Sequence, residues 1–223
     1  MRFERIGRAL IVLCLLLALS LGALLPTEPA CEIACVGDSI TQGVGAEPEQ
    51  SYPAYLQRLL GENVQVYNYG SNGRALLAAS RHPYTREDCY RASLEQAADI
   101  YIIMLGSNDI WEDCWDEEDF AQELVQLVRA YQEVQREPCV YLVKPPEYFP
   151  SGQDMLGWQK RAYMTDLFEA IDAAAEQTGC QVMDLYSLTK DHPEWFSDEV
   201  HPNAVGNEKI AEYIYECIAQ DIG

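Results

Sequence analysis

Residues 100–105, Ile-Tyr-Ile-Ile-Met-Leu, form a nearly continuous apolar run. A strand with one wet face alternates apolar and polar residues; a strand apolar throughout must be covered on both faces, as in the middle of a parallel sheet. Shorter runs of the same kind lie at 33–36, 64–68, 140–143 and 181–185. Between them the apolar residues fall at helical spacing. Ser51-Tyr52-Pro53 opens one helix with Leu56, Leu59 and Leu60 on a single face, and Gly61 stops it. Further helices are expected at 74–80 (short), through 94–98, at 120–135, at 158–177 with Gly179 as the stop, and at 204–219. Five strands alternating with helices predict an α/β fold, a three-layer α/β/α sandwich around a five-stranded parallel sheet.

The chain has 223 residues, enough for one well-packed domain and short for two. Its first segment stands apart from the pattern. Arg2, Arg5 and Arg8 precede an unbroken apolar stretch from 9 to 25, a basic region followed by a hydrophobic one. Residues 1–30 therefore read as a cleaved signal peptide or a retained N-terminal membrane anchor with a short linker. Residues 31–223 form the domain. Either reading places the domain outside the cytoplasm, secreted or held at the membrane by the anchor alone. The formal net charge of -21 argues against a nucleic-acid partner, which requires a surplus of Lys and Arg, and disfavours strongly anionic substrates.

Seven cysteines follow the leader: Cys31, Cys35, Cys89, Cys114, Cys139, Cys180 and Cys217. An odd number leaves at least one thiol free or paired between chains. Cys139 with Cys180, and Cys89 with Cys114, are the disulfides to test first; the competing reading is small buried apolar residues. No His/Cys cluster has zinc spacing, so no metal and no cofactor is expected. The oligomeric state is not encoded in any pattern we recognise.

The chemistry gathers at strand ends. The first strand stops at Gly37, and Ser39 follows two residues later, at the carboxyl edge where open α/β sheets form ligand crevices. A serine hydroxyl needs a base to become a nucleophile. His201 is the natural base, and Asp198, three residues before it, can orient the ring and stabilise the imidazolium. Asp38 and Asp109 are expected to orient loops. His82 and His192 have no assigned partner and read first as structural or solvated; the alternative for His82, with Arg81 and Tyr84, is a place lining the cleft. The acidic run Glu112, Asp113, Asp116, Glu117, Glu118 and Asp119 suits a helix N-terminus, with a cleft rim as the alternative. Trp111 and Trp115 fit a cleft wall and a core position equally well.

Four blocks recur in order: Gly37-Asp38-Ser39-Ile40, Asn68-Tyr69-Gly70, Gly106-Ser107-Asn108-Asp109 and Asp198-Glu199-Val200-His201-Pro202. Together they resemble the GDSL, or SGNH, hydrolase family, from about residue 32 to the C-terminus. Ser107 stands where that family often has threonine. The resemblance implies a flavodoxin-like sheet, a Ser39–His201–Asp198 triad, and an oxyanion hole made of the Ser39 N–H, the Gly70 N–H and the Asn108 side chain. It differs from the G-x-S-x-G elbow, since Thr41 follows where glycine would stand. The block spacing, the loop at 81–84 and the short closure at 198–202 look most like the carbohydrate O-acetylesterases of the family, such as sialate O-acetylesterases and acetylxylan esterases. That implies an O-acetyl ester on extracellular carbohydrate, a neutral glycan in view of the acidic chain. A lysophospholipase or acyl thioesterase is the alternative within the family. A catalytically idle glycan-binding module is the alternative outside enzymes, and it would have no use for a complete triad.

Overall fold

A computed structural model describes residues 29–134, 137–152 and 155–222. The expected leader lies outside the described residues, among which no helix is long and apolar enough to cross a membrane.

Five strands form one sheet: β1 (Cys31–Gly37), β2 (Val64–Gly70), β3 (Ile100–Met104), β4 (Cys139–Lys144) and β5 (Gln181–Asp184). Their order is β2-β1-β3-β4-β5 and every pairing is parallel. Helices α1 (Ser39–Gln42), α2 (Tyr52–Leu60), α3 (Asp88–Gln96), α4 (Glu117–Val134), α5 (Met155–Ala162), α6 (Met164–Thr178), α7 (Leu185–Thr189) and α8 (Ala204–Ile218) complete the domain. Successive side chains of a strand point to opposite faces, and the core divides accordingly. Ala34, Val36, Tyr101, Ile103 and Leu142 pack beneath α4 and α6. Ile33, Cys35, Ile102, Met104, Tyr141 and Val143 pack beneath α2 and α8. All five residues of β3 are buried, as its composition demands.

The connections leaving β1 and reaching β3 run to opposite sides of the sheet, so a crevice opens between their carboxyl ends. This is the reversal point where such sheets bind ligands. Ser39 follows β1 and Asn108 follows β3.

The structure departs from the sequence reading in three places. The segment 74–80 is a series of turns, not a helix. The N–H groups of Leu76 and Leu77 are donated to the Asp109 carboxylate at 2.9 and 2.8 Å, and the Ala75 N–H to the His82 carbonyl across the loop, bonds that hold the segment in an irregular course. The expected single helix at 158–177 is two, α5 and α6, separated where the Tyr163 N–H closes a tight turn on the Lys160 carbonyl. All seven described cysteines are free thiols. Cys139 packs with the α2/α8 layer and Cys180 with the opposite one, and the two are not bonded. Cys89 and Cys114 both lie against the α4/α6 layer, unbonded.

Candidate active site

The Ser39 end of the site is built into the core. Asp38 caps α1, its Oδ1 accepting the Ile40 N–H at 2.9 Å. The hydroxyl-bearing Ser39 is the first residue of that helix and only 5% exposed. A first-turn N–H has no carbonyl one turn back to bond, so the Ser39 N–H has no partner within its own helix.

His201, the candidate base, comes from a surface loop after the last strand. Asp198 Oδ1 accepts the backbone N–H groups of Val200 (2.8 Å) and His201 (2.7 Å), folding residues 198–201 into one turn. Its other oxygen takes the His201 Nδ1 proton at 2.8 Å, which fixes the ring with Nε2 as acceptor, 3.0 Å from Ser39 Oγ. Burial works against ionisation of Asp198. The hydrogen bonds from the His201 ring and from the His201 and Val200 N–H groups prevail, and hold its carboxyl below the usual range. The turn is anchored behind by Ser197 N–H to the His201 carbonyl and by Asn203, which caps α8. A hydroxyl, an imidazole and a carboxylate are thus in hydrogen-bonded series across 162 residues of chain.

Asn108 sits across the crevice. Its amide donates to Asp38 Oδ2 at 3.2 Å and to the Arg74 carbonyl at 3.0 Å. Asp38 therefore holds both the helix carrying Ser39 and the Asn108 side chain. It is fully buried, and burial pushes its pKa up to about 6. Asp109, beside it, is likewise buried, with its pKa pushed up to about 7 against the pull of the Leu77 and Leu76 N–H groups. Both aspartates organise loops, as their positions in the sequence suggested.

Gly70 has a different job from the one expected of it. Its N–H is donated to Asn68 Oδ1 at 2.9 Å. A Cβ there would lie 2.2 Å from the Gln42 nitrogen, so the glycine lets β2 press against α1. In the following turn, Ser71 N–H bonds to the Gly37 carbonyl, Asn72 N–H to Gln42 Oε1 and Arg74 N–H to the Ser71 carbonyl. The N–H of this turn left without an acceptor among the described residues is that of Gly73, a left-handed position (φ +72°) in open space. Its Arg74 neighbour holds the Asn108 amide.

Beside Ile40 and Val200, the chain neighbours of Ser39 and His201, lies a narrow, mostly apolar cavity of about 30 Å³, lined also by Ile110, Trp111, Glu147, Tyr148 and Leu167. The two tryptophans part company here. Trp111 is 37% exposed and stands edge-on to Tyr148 at 5.4 Å, forming the cavity wall. Trp115 packs on Phe120 in the core. Glu117, Glu118 and Asp119 occupy the first turn of α4, where the helix dipole favours them. His192 pairs with Glu194 at 2.9 Å and stacks on Trp195, away from the triad. His82 contributes its carbonyl to the Ala75 bridge. Among the described residues no group of three or more His, Cys, Asp or Glu is arranged to hold a metal ion.

Residues 35–209 match the GDSL-like Lipase/Acylhydrolase family. The chain belongs to this family. It is 30% identical over 211 residues to an acetylxylan esterase of Xylanibacter ruminicola; the match covers 86% of this chain and 44% of that protein, so the chain spans less than half the length of this curated relative. Solved structures share the fold. An aryl esterase of M. smegmatis, in an inhibitor-bound form, superposes with a TM-score of 0.70 at 20% identity, covering 85% of this chain and 99% of that one. A carbohydrate acetylesterase from Sinorhizobium meliloti gives 0.65 at 19% identity, covering 85% and 99%.

Of the residues singled out in the sequence, the structure brings Ser39, His201 and Asp198 into one hydrogen-bonded series and sets Asn108 against Asp38; Gly73 and the loop at 145–151 were not singled out. Gly73 carried a signal: a second glycine three residues after Gly70, in a turn-forming Ser-Asn-Gly run. The loop carried only its Pro145-Pro146 stop.

Proposed function

We propose that this protein is a serine esterase that removes O-acetyl groups from extracellular carbohydrate, with a neutral glycan such as acetylated xylan as substrate. The observation that carries the proposal is the unbroken Asp198–His201–Ser39 hydrogen-bond series. His201 Nε2 takes the Ser39 proton as Oγ attacks the ester carbonyl. The Ser39 N–H, the Gly73 N–H and the Asn108 amide, released from its 3.2 Å bond to Asp38, stabilise the oxyanion. Each such donor contributes about 2.7–4 kcal/mol to the transition state. The protonated His201 then gives its proton to the departing sugar oxygen. A water, deprotonated by the same ring, hydrolyses the acetyl-Ser39 and restores the enzyme.

Three observations support acetate as the acyl group and a glycan as the alcohol. The cavity lined by Ile40 and Val200, the neighbours of Ser39 and His201, is mostly apolar and narrow, suited to a methyl rather than a long chain. The curated relative is an acetylxylan esterase. The net charge of -21 suits an uncharged polymer better than a sialoside. Action outside the cytoplasm follows from the basic and apolar leader. A long-chain esterase is favoured by one observation alone, the exposed Met155, Leu156 and Trp158 on α5. Nitrophenyl esters of two to ten carbons, together with acetate release from acetylated xylan and acetylated sialosides, separate the readings. Maximal kcat/KM on acetate with release from xylan is expected. A maximum at eight carbons or more, or reaction with sialosides only, would overturn the substrate assignment.

A further inference from the structure

Glu147 is an acidic residue in an apolar wall. Its side chain is wholly buried beside the cavity that also receives Ile40 and Val200, the neighbours of Ser39 and His201. A carboxylate is held there only when its charge is met. Arg161, reaching down from α5, meets it with two bonds, Nε to Oε1 at 3.0 Å and an Nη to Oε2 at 2.6 Å. Such a planar fork fixes orientation as well as charge. The remaining capacity of Oε1 accepts the Tyr148 N–H at 2.8 Å, and the Glu147 N–H is donated to Thr189 Oγ1 at 2.9 Å. The backbone on both sides of Glu147 is therefore tied to this one carboxylate and to α7.

What the carboxylate holds is part of the cavity's lining. Tyr148, the next residue, lines the cavity together with Val200 and stands edge-on to Trp111 at 5.4 Å. One residue further, the Phe149 N–H bonds to the Glu199 carbonyl at 2.8 Å, and its ring packs edge-on to Phe196 at 5.0 Å. The Ser151 N–H and hydroxyl both bond to Glu199 Oε1. The loop at 145–151 is thus clamped at one end by the Glu147–Arg161 pair and at the other by the loop that carries Asp198 and His201.

We propose that Glu147 and Arg161 are specificity-determining positioning residues: their buried ion pair fixes Tyr148 in the wall of the acyl cavity and so limits the acyl group to acetyl size. The pair touches no reacting atom. Loss of the charge match drives the carboxylate, or the gap left behind, toward water, and Tyr148 moves with it because the two residues are adjacent and bonded. The proposal rests on the esterase reading of the same cavity.

The test is kcat/KM for nitrophenyl acetate, butyrate and hexanoate with the wild type and with Glu147→Gln, Arg161→Met, Arg161→Lys and Tyr148→Ala, alongside melting temperature. Glu147→Gln and Arg161→Met are expected to raise the butyrate-to-acetate ratio at least fivefold, mainly through KM. Arg161→Lys, which keeps the charge, is expected to stay within twofold of the wild type. A ratio unchanged in both charge-removing variants, with only a lower melting temperature, would show a merely structural pair and overturn the proposal. Should Glu147→Gln fail to fold, Arg161→Met and Tyr148→Ala carry the same test, and an unchanged ratio in Tyr148→Ala overturns the wall assignment. A wild type that prefers hexanoate to acetate defeats the short-acyl reading of the cavity instead, a result separate from any shift between wild type and variants.

Discussion

The two halves of the triad are set in opposite surroundings. Ser39 is held by the centre of the molecule. The strand before it is buried, its cap Asp38 is fully buried, and β2 presses against its helix through Gly70. His201 and Asp198 hang from a surface turn, with the Asp198 side chain 56% exposed, and owe their position to hydrogen bonds within that turn and to the neighbouring loop at 145–151. Ser39 is thus positioned by the fold, His201 by local chemistry. Substitutions of the buried groups that hold Ser39, such as Asp38 and Gly70, should disturb stability and activity together, while those around His201 should separate the two.

The largest effect expected is at the point where the halves meet. Ser39→Ala removes a hydroxyl from a site the core already shapes, so turnover should fall roughly 10⁵–10⁶-fold with melting temperature and circular dichroism unchanged. Retained turnover would dissolve the comparison, since no nucleophile would then link the two regions. Next comes the exposed member. Asp198→Asn keeps the turn's acceptor oxygen but allows the wrong His201 tautomer, costing up to about 10⁴-fold in kcat with a melting temperature within a few degrees of the wild type. A large stability loss would mean that the surface turn is as integral to the fold as β1.

The smallest effect sharpens the buried side. Asp109 has its pKa raised from 3.8 to about 7 by burial, so the folded protein binds a proton that the unfolded chain has released between those limits. Stability contributed at this site therefore declines as pH rises from about 4 to about 7. Asp38, raised to about 6, acts in the same direction over a narrower window. Asp109→Asn loses an acceptor for the Leu76 or Leu77 N–H and should start less stable at pH 4.5. Relative to wild type it should regain at least about 3 °C of melting temperature by pH 8, the shift that roughly 1 kcal/mol produces in a domain of this size. A constant difference across that range would show that the Asp109 carboxyl titrates normally.

The same contrast explains what could be read from the sequence. The strands were legible because a doubly covered strand must be apolar along its whole length, and residues 100–105 are. Asp198 and His201 were legible because three residues of spacing suffice to fold one turn. Features that depend on a distant acceptor were not. Whether the Gly70 or the Gly73 N–H is free depends on where Asn68, Gln42 and Gly37 place their oxygens. Residues 74–80 have helical composition but donate two N–H groups to Asp109, more than thirty residues downstream. The thiols of Cys139 and Cys180 were close in the strand pattern, yet they pack with opposite layers. The Glu147–Arg161 clamp joins residues on either side of a loop that has no regular periodicity.

The central claim is that the core-held hydroxyl is activated by the surface-held imidazole. A fluorophosphonate reagent followed by peptide mass spectrometry tests it most directly. The account predicts one adduct per chain, on the peptide containing Ser39, absent in Ser39→Ala and formed at least a hundredfold more slowly in His201→Ala. An adduct on another residue, or labelling of Ser39 at an undiminished rate without the His201 ring, would contradict it.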